Sequence, residues 1–227
     1  MTGPRIVGLL PMRHASERVV GKNYRPLGGR PLFQHVLDSL LESGCLAEVV
    51  IDTDSPVITG LVAERYPQVR VIDRPAHLLG GDVPMNEILL HDMSLVAADY
   101  YLQTHSTNPL LRSSTIRDAV TRFLDAGDAH DSLFAVTGLQ TRLWWADATA
   151  INHDPGVLLR TQDLPPVYEE NSNLYLFPGD VLARRGNRIG ERPMLYPIDR
   201  AEAWDIDEEI DWLIVESLYA QREAGCG

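Results

Sequence analysis

Short apolar runs alternate with longer stretches of helical periodicity along most of the 227-residue chain. The runs are Ile6 to Leu10, Glu48 to Asp52, Val69 to Asp73, Asp99 to Gln103 and Ser132 to Val136. Between them, Pro31 to Glu42, Pro56 to Arg65, Pro84 to Ala97 and Ser113 to Asp125 repeat apolar residues at helical spacing. Pro31, Pro56 and Pro84 each stand where a first helical turn tolerates a missing N–H, and Ser113 or Ser114 is a plausible cap. Strands without a polar face must be covered on both sides. The pattern therefore predicts an α/β fold, a Rossmann-like three-layer sandwich around a mostly parallel sheet. Ligands in such sheets sit at the carboxyl ends of strands.

The rhythm breaks between Gly138 and Asn173, where aromatics, prolines and turn dipeptides replace clear periodicity. This stretch, 138–173, is expected to be a β-rich arm of a single domain spanning 1–227. Trp144 and Trp145 would point to opposite faces if extended, so either one is exposed at a subunit interface or both pack on the parent sheet. Two strands, NLYLF and MLYPID, and a final helix, IDEEIDWLIVESLYAQRE, follow.

The stretch Leu9 to Asn23 carries Arg13, His14, Ser16, Arg18 and Lys22 against one acid, Glu17, behind an apolar run that Pro11 should end. A cationic loop leaving a strand suits a polyphosphate, because arginine offers a planar fork of donors and lysine a mobile point charge. A solvated basic loop is the other reading. The net charge of −12 makes a local excess of cations harder to treat as background. That same charge repels phosphate backbones and anionic lipid, so neither nucleic acid nor membrane is expected as a partner. Cys45 and Cys226 have no metal spacing and read as free thiols, as in a reducing cytoplasm. The start has too short an apolar run for a signal peptide, and no run is long enough to span a bilayer.

Asp205-Ile206-Asp207 is the second cluster. In an extended segment residues two apart share a face, so both carboxylates project together while Ile206 turns into the core. Two hard oxygen ligands with room for phosphates suit magnesium; alternatively the pair caps the acidic start of the last helix. No glycine-rich dinucleotide or triphosphatase loop is present, and Gly28-Gly29 reads as a turn. His91 reads as structural, whereas His14 and His105 follow strand ends and could line a site. No serine stands in a nucleophile-elbow context.

These residues resemble the acylneuraminate (CMP-sialic acid) cytidylyltransferase family, from about Ile6 to Trp212. The resemblance rests on ordered blocks: Pro11-Met12-Arg13, Ser16, Lys22-Asn23 and Gly29-Arg30-Pro31-Leu32, then Arg74-Pro75, Leu102-Gln103, Glu170-Asn171 before Leu174-Tyr175-Leu176, and Asp205-Ile206-Asp207. It implies the fold of nucleotide-diphospho-sugar transferases, a homodimer through the arm, and a magnesium-dependent reaction of CTP with a nonulosonic sugar acid. Arg13, Lys22, Asp205 and Asp207 would be catalytic. Pro11, Ser16, Arg18, Asn23 and Arg74 would join Arg13 and Lys22 around the nucleotide. Gln103, Arg160, Asn171 and Tyr175 would face the sugar, and Asp205 and Asp207 would hold the metal.

The sugar half departs from the family pattern. Glu17-Arg18 follows Ser16, THSTNPLLR is longer than usual, AHLLGGDVPMNE replaces small hydroxylic residues, and Ser172 stands where glycine is usual. A ketodeoxyoctonate-type enzyme and a catalytically silent nucleotide- or sugar-binding subunit are the alternatives. A dinucleotide oxidoreductase lacks its glycine fingerprint here, and a purely structural protein would have no need of clustered cations at a strand end.

Overall fold

The computed structural model describes residues 3–16 and 18–225. Glu17, the one acid of the basic loop, and Cys226 lie outside the described residues. In chain order the elements are β1 (Ile6–Met12), a 3-10 turn at Lys22–Tyr24, a ribbon of β2 (Pro26–Leu27) and β3 (Arg30–Pro31), α1 (Leu32–Glu42), β4 (Glu48–Thr53), α2 (Pro56–Arg65), β5 (Arg70–Asp73) and α3 (Met85–Leu95). There follow β6 (Tyr100–Thr104), α4 (Ser113–Asp125), β7 (Ser132–Leu139), β8 (Val167–Pro178), α5 (Gly179–Arg185), β9 (Pro193–Pro197) and α6 (Glu209–Gly225).

Seven strands form one sheet in the order β5-β4-β1-β6-β8-β7-β9. Neighbours from β5 to β6 are parallel, β8 runs antiparallel to both β6 and β7, and β9 is parallel to β7. Strand parity builds the layers. In β1, Ile6, Leu10 and Met12 face one core with Phe33, Val36 and Leu37 of α1 and Ile116 and Val120 of α4. Val7 and Leu9 face the other core, with Leu89 of α3 and Leu182 of α5. Each large side chain so buried is worth about 1.5–3 kcal/mol, which is why the unbroken apolar runs dictate a covered sheet. A third cluster, with Val19, Leu27, Ile206, Trp212 and Val215, fastens the basic loop and α6 to the rest. Gly28 takes φ 57°, and a Cβ there would strike the Tyr219 ring, so only glycine lets α6 lie across the β2–β3 turn.

Helix boundaries follow the sequence closely, with two corrections. Pro31 and Pro84 are cap residues rather than first-turn residues, while Pro56 does open α2, capped by Ser55 Oγ accepting from Ile58 N at 3.3 Å. Neither Ser113 nor Ser114 caps α4. The cap residue is Arg112, and Glu202 Oε2 accepts from Arg112 N at 3.0 Å and from Thr115 Oγ1 at 2.8 Å. A carboxylate from the far end of the chain thus complements the helix start.

The arm is less regular than its expected β-rich form. Its stems are strands, but residues 140–166 hold only an isolated bridge, Trp144 to Ala150, and a 3-10 turn at Thr161–Asp163. Pro155, Pro165 and Pro166 lack the donors a ladder needs. Asn152 takes over as organiser: its side chain accepts from Leu143 N at 3.0 Å and donates to the carbonyls of Thr141 at 2.7 Å and Pro165 at 3.1 Å. Both Trp144 and Trp145 are exposed. Among the described residues no helix is long and apolar enough to cross a membrane.

Candidate active site

The central strands part where β1 ends. β1 stays paired to β4 as far as Met12–Thr53, but its register with β6 stops at Leu9–Gln103. Pro11 therefore lies inside the strand rather than ending it, at a position where one edge has already lost its partner and no donor is needed. The splayed ends of β1 and β6 open a cavity of about 510 Å³ at the carboxyl edge of the sheet. Pro11, Arg13, Ser16, Arg18, Lys22 and Asn23 line one wall. Arg74, Gly80 to Val83 and Met85 form another, and His105, Ser106, Thr107, Ser172, Asp205 and Asp207 close it.

Asn23 shapes the loop more than it offers itself to a ligand. Its Nδ2 donates to the Arg13 carbonyl at 2.7 Å and its Oδ1 accepts from Ser106 Oγ at 2.8 Å. Arg13 is thus presented on a tethered backbone, and its guanidinium has no ion-pair partner among the described residues. Lys22 is buried; its Nζ donates to the Ile206 carbonyl and lies 3.7 Å from Asp207 Oδ1. Burial pushes the Lys22 pKa down, against the pull of Asp205 and Asp207.

Ile206 is fully buried, and Asp205 and Asp207 both border the cavity, as two-residue spacing dictates. They do not cap α6. Asp211 does, with Oδ2 accepting from Asp207 N at 3.0 Å and Glu208 N at 2.8 Å. Asp207 Oδ1 takes Arg18 Nη2 at 2.8 Å. Asp205 Oδ1 is buried with no partner among the described residues, and desolvation raises its pKa. An orphaned buried carboxylate oxygen beside a second carboxylate fits a hard divalent cation.

Arg74 borders the cavity from beneath. Its Nε donates to Asp52 Oδ1 and its Nη2 to the Asp52 carbonyl at 3.3 Å, in a pair that is almost wholly buried. Asp92 of α3 faces Asp52; desolvation and then the Asp52 charge raise its pKa to about 9 and favour its protonated form, and neither of its oxygens has a hydrogen-bond partner among the described residues. Asp52, His91 and Asp92 place ligand atoms within 4.8 Å of one another, but Arg74 already neutralises Asp52. Asp52 is thus committed to holding an arginine in place, and the trio is not built as a cation site.

Of the four residues expected on the sugar side, Asn171 lines a cleft next to the main cavity. This second cleft, of about 330 Å³, shares Ser172 and Asp205 with the main cavity. Gln103 and Tyr175 are register partners on β6 and β8, and both are buried. Arg160 sits on the exposed arm, paired with Asp163 at 2.6 Å. His105, which follows β6, does line the cavity; burial, helped by Arg188 and Lys22, pushes its pKa down to about 3 and keeps it neutral. His14 instead stacks on Tyr24 and bonds Ser55 Oγ at 2.8 Å. Gly80 to Val83, Ser106 and Thr107 also line the cavity; they belong to the two stretches, AHLLGGDVPMNE and THSTNPLLR, that depart from the family pattern, and the sequence named none of them individually for the site.

A family model described as Cytidylyltransferase matches residues 7–223, and so takes in every wall of this cavity. The chain belongs to the cytidylyltransferase family. It is 29% identical to CMP-N,N'-diacetyllegionaminic acid synthase of Legionella pneumophila, over 94% of this chain and 96% of that one. It is 25% identical to N-acylneuraminate cytidylyltransferase of Streptococcus agalactiae, over 91% of this chain and 51% of the longer relative. Among solved structures, a CMP:2-keto-3-deoxy-manno-octonic acid synthetase complexed with CTP shares the fold, with a TM-score of 0.71 at 19% identity, covering 96% of this chain and 99% of that one. This cytidylyltransferase is therefore a nucleotidyltransferase, and its α/β sandwich is that of its structural neighbours.

Proposed function

We propose that this enzyme transfers CMP from CTP to a nonulosonic, sialic-type sugar acid, releasing pyrophosphate, with magnesium held by Asp205 and Asp207. One observation carries the reading. In a cytidylyltransferase chain, a cation-lined cavity at the β1 and β6 ends brings Arg13, Lys22, Asp205 and Asp207 together although up to 194 residues separate them (207 − 13).

Attack of the anomeric hydroxyl on the α-phosphorus builds charge on phosphoryl oxygens and on the leaving pyrophosphate. Groups fixed before the reaction and aimed at that charge supply most of the available rate. Arg13 and Lys22 take the triphosphate oxygens, with Ser16 and Arg18 at the mouth. Arg18 and Lys22 also hold Asp207, so that its second oxygen remains for the metal. Pro11 and Arg74 border the base and ribose, and Asn23 keeps the loop in shape. Bound magnesium supplies charge neutralisation at the phosphates. Neutral His105 leaves the cavity floor free of extra charge.

The sugar rests toward Asn171 in the second cleft. Gln103 and Tyr175 act from behind that wall, and Arg160 belongs to the arm. A ketodeoxyoctonate-type acid is the second reading, favoured by the shared fold of the synthetase with CTP. The exposed apolar tip of the arm, with Trp145, Val157 and Leu158, supports a homodimer through 138–173. Use of CTP fits a cytoplasmic location.

Calorimetry with all four nucleoside triphosphates and magnesium tests the nucleotide half. CTP should bind in clear preference to ATP and UTP, and Arg13→Ala should weaken it. Equal affinity for all four counts against the reading.

A further inference from the structure

Arg188 lies between α5 and β9 in a position the reaction above leaves unused. Its Cζ sits 3.6 Å from the centroid of the Tyr175 ring. The ring is buried in β8, and its hydroxyl is fixed by Glu170. Stacking occupies the face of the guanidinium and leaves its in-plane N–H groups to bond elsewhere. Among the described residues the buried Nη1 has no acceptor and Arg188 forms no ion pair.

A half-buried guanidinium without a counter-charge is costly, and a chain of net charge −12 has acids to spare for one. The cations that line the main cavity show the contrast: Arg18 and Lys22 share Asp207, and Arg74 has Asp52. Arg13 faces the triphosphate side. Arg188 lines a small cleft with Met85 and Glu170; Met85 also lines the main cavity, and Glu170 also lines the second cleft with Asn171. Its donors therefore stand beside the end of the site opposite the basic loop. Its charge reaches the cavity floor, where it helps keep His105 neutral.

We propose that Arg188, braced on Tyr175, is the fork that binds the carboxylate of the sugar acid. The inference rests on the sugar-acid reading given above. A carboxylate accepts two parallel N–H bonds from one guanidinium. Because the acid group of a 2-keto sugar acid is bonded to the anomeric carbon, holding it also orients the attacking hydroxyl.

The test uses full-length enzyme, CTP and magnesium with N-acetylneuraminic acid, N,N'-diacetyllegionaminic acid and the methyl ester of whichever acid turns over. Arg188→Ala should raise KM for the acid roughly 10- to 100-fold while leaving KM for CTP unchanged, and Arg188→Lys should recover part of the loss. The ester should be a poor substrate of the wild type by a similar factor and should suffer no further in Arg188→Ala. Arg188→Met keeps the stem over Tyr175 and replaces the alanine variant if that one melts early. Unchanged KM for the acid, or an equal loss for acid and ester, overturns the assignment of Arg188 while leaving the cytidylyltransferase reading intact. No turnover of any sugar acid by the wild type overturns that reading, and the assignment with it.

Discussion

Ser172 stands in a left-handed backbone conformation, φ 58°, where the β7–β8 register shifts, and it lines both the main cavity and the second cleft. For an L-residue that conformation costs roughly 1–2 kcal/mol. Glycine escapes the penalty but gives back about 0.5–1 kcal/mol through the freedom it adds to the unfolded chain. The serine hydroxyl lies 3.5 Å from the Tyr175 hydroxyl, too long to weigh much in the balance. Ser172→Gly should therefore stabilise the fold by about 0.5–1 kcal/mol, or roughly 1–4 °C in Tm for a chain of this size. Differential scanning calorimetry reads the shift directly.

Ala148 gives an internal control. It also has positive φ, 65°, but closes a turn at the arm tip away from either cavity. Ala148→Gly should raise Tm by a similar amount and leave turnover alone. Ser172→Gly should instead weaken use of the sugar acid, since strain kept at a cavity wall is tolerated for the side chain it presents. A Ser172→Gly enzyme that melts at or below the wild-type temperature, with Ala148→Gly melting higher, refutes the strain argument.

Three further outcomes follow from the same geometry. Asp207→Asn should cut turnover by orders of magnitude with Tm nearly unchanged, while Asp211→Ala, which removes the α6 cap, should cost about 0.5–2 kcal/mol and keep most activity; paired kinetics and melts check both. Asp92 has a pKa raised to about 9, so its protonated form contributes stability that is full below the ordinary carboxylate range and is lost as pH rises toward 9. Urea unfolding from pH 6 to 9.5 should show the wild type losing ground to Asp92→Asn as pH rises, and parallel curves would contradict the raised pKa of Asp92. Replacing Trp144 and Trp145 by charged residues should turn a dimer into monomers by light scattering, and an active wild-type monomer would remove the arm from the account.

Local signals made much of the fold legible. Pro56 to Arg65 and Ser113 to Asp125 match α2 and α4 residue for residue, because proline placement and apolar period act within the segment. What escaped depends on distant partners. The α4 cap comes from Glu202, some ninety residues downstream (202 − 112), and no local motif announces it. The cationic wall of the cavity was legible because Arg13 to Asn23 is continuous in sequence. The sugar side was harder. The β6–β8 register, which puts Gln103 opposite Tyr175, is set by long-range pairing, and only the packing of α3 and α5 shows that the Tyr175 face is covered. Arg160 looked available by charge, yet Asp163 three residues on takes it, while Arg188 drew no notice in a stretch without a motif.

The central claim is chemical, and product analysis meets it most directly. Wild-type enzyme with magnesium, each of the four nucleoside triphosphates and a panel of sialic-type and ketodeoxyoctonate-type acids is assayed for pyrophosphate, and the nucleotide product is identified by mass. The account predicts a CMP-sugar from CTP and a sialic-type acid, lost on removal of magnesium. Pyrophosphate released equally from all four nucleotides, or no CMP-sugar from any acid, would contradict it.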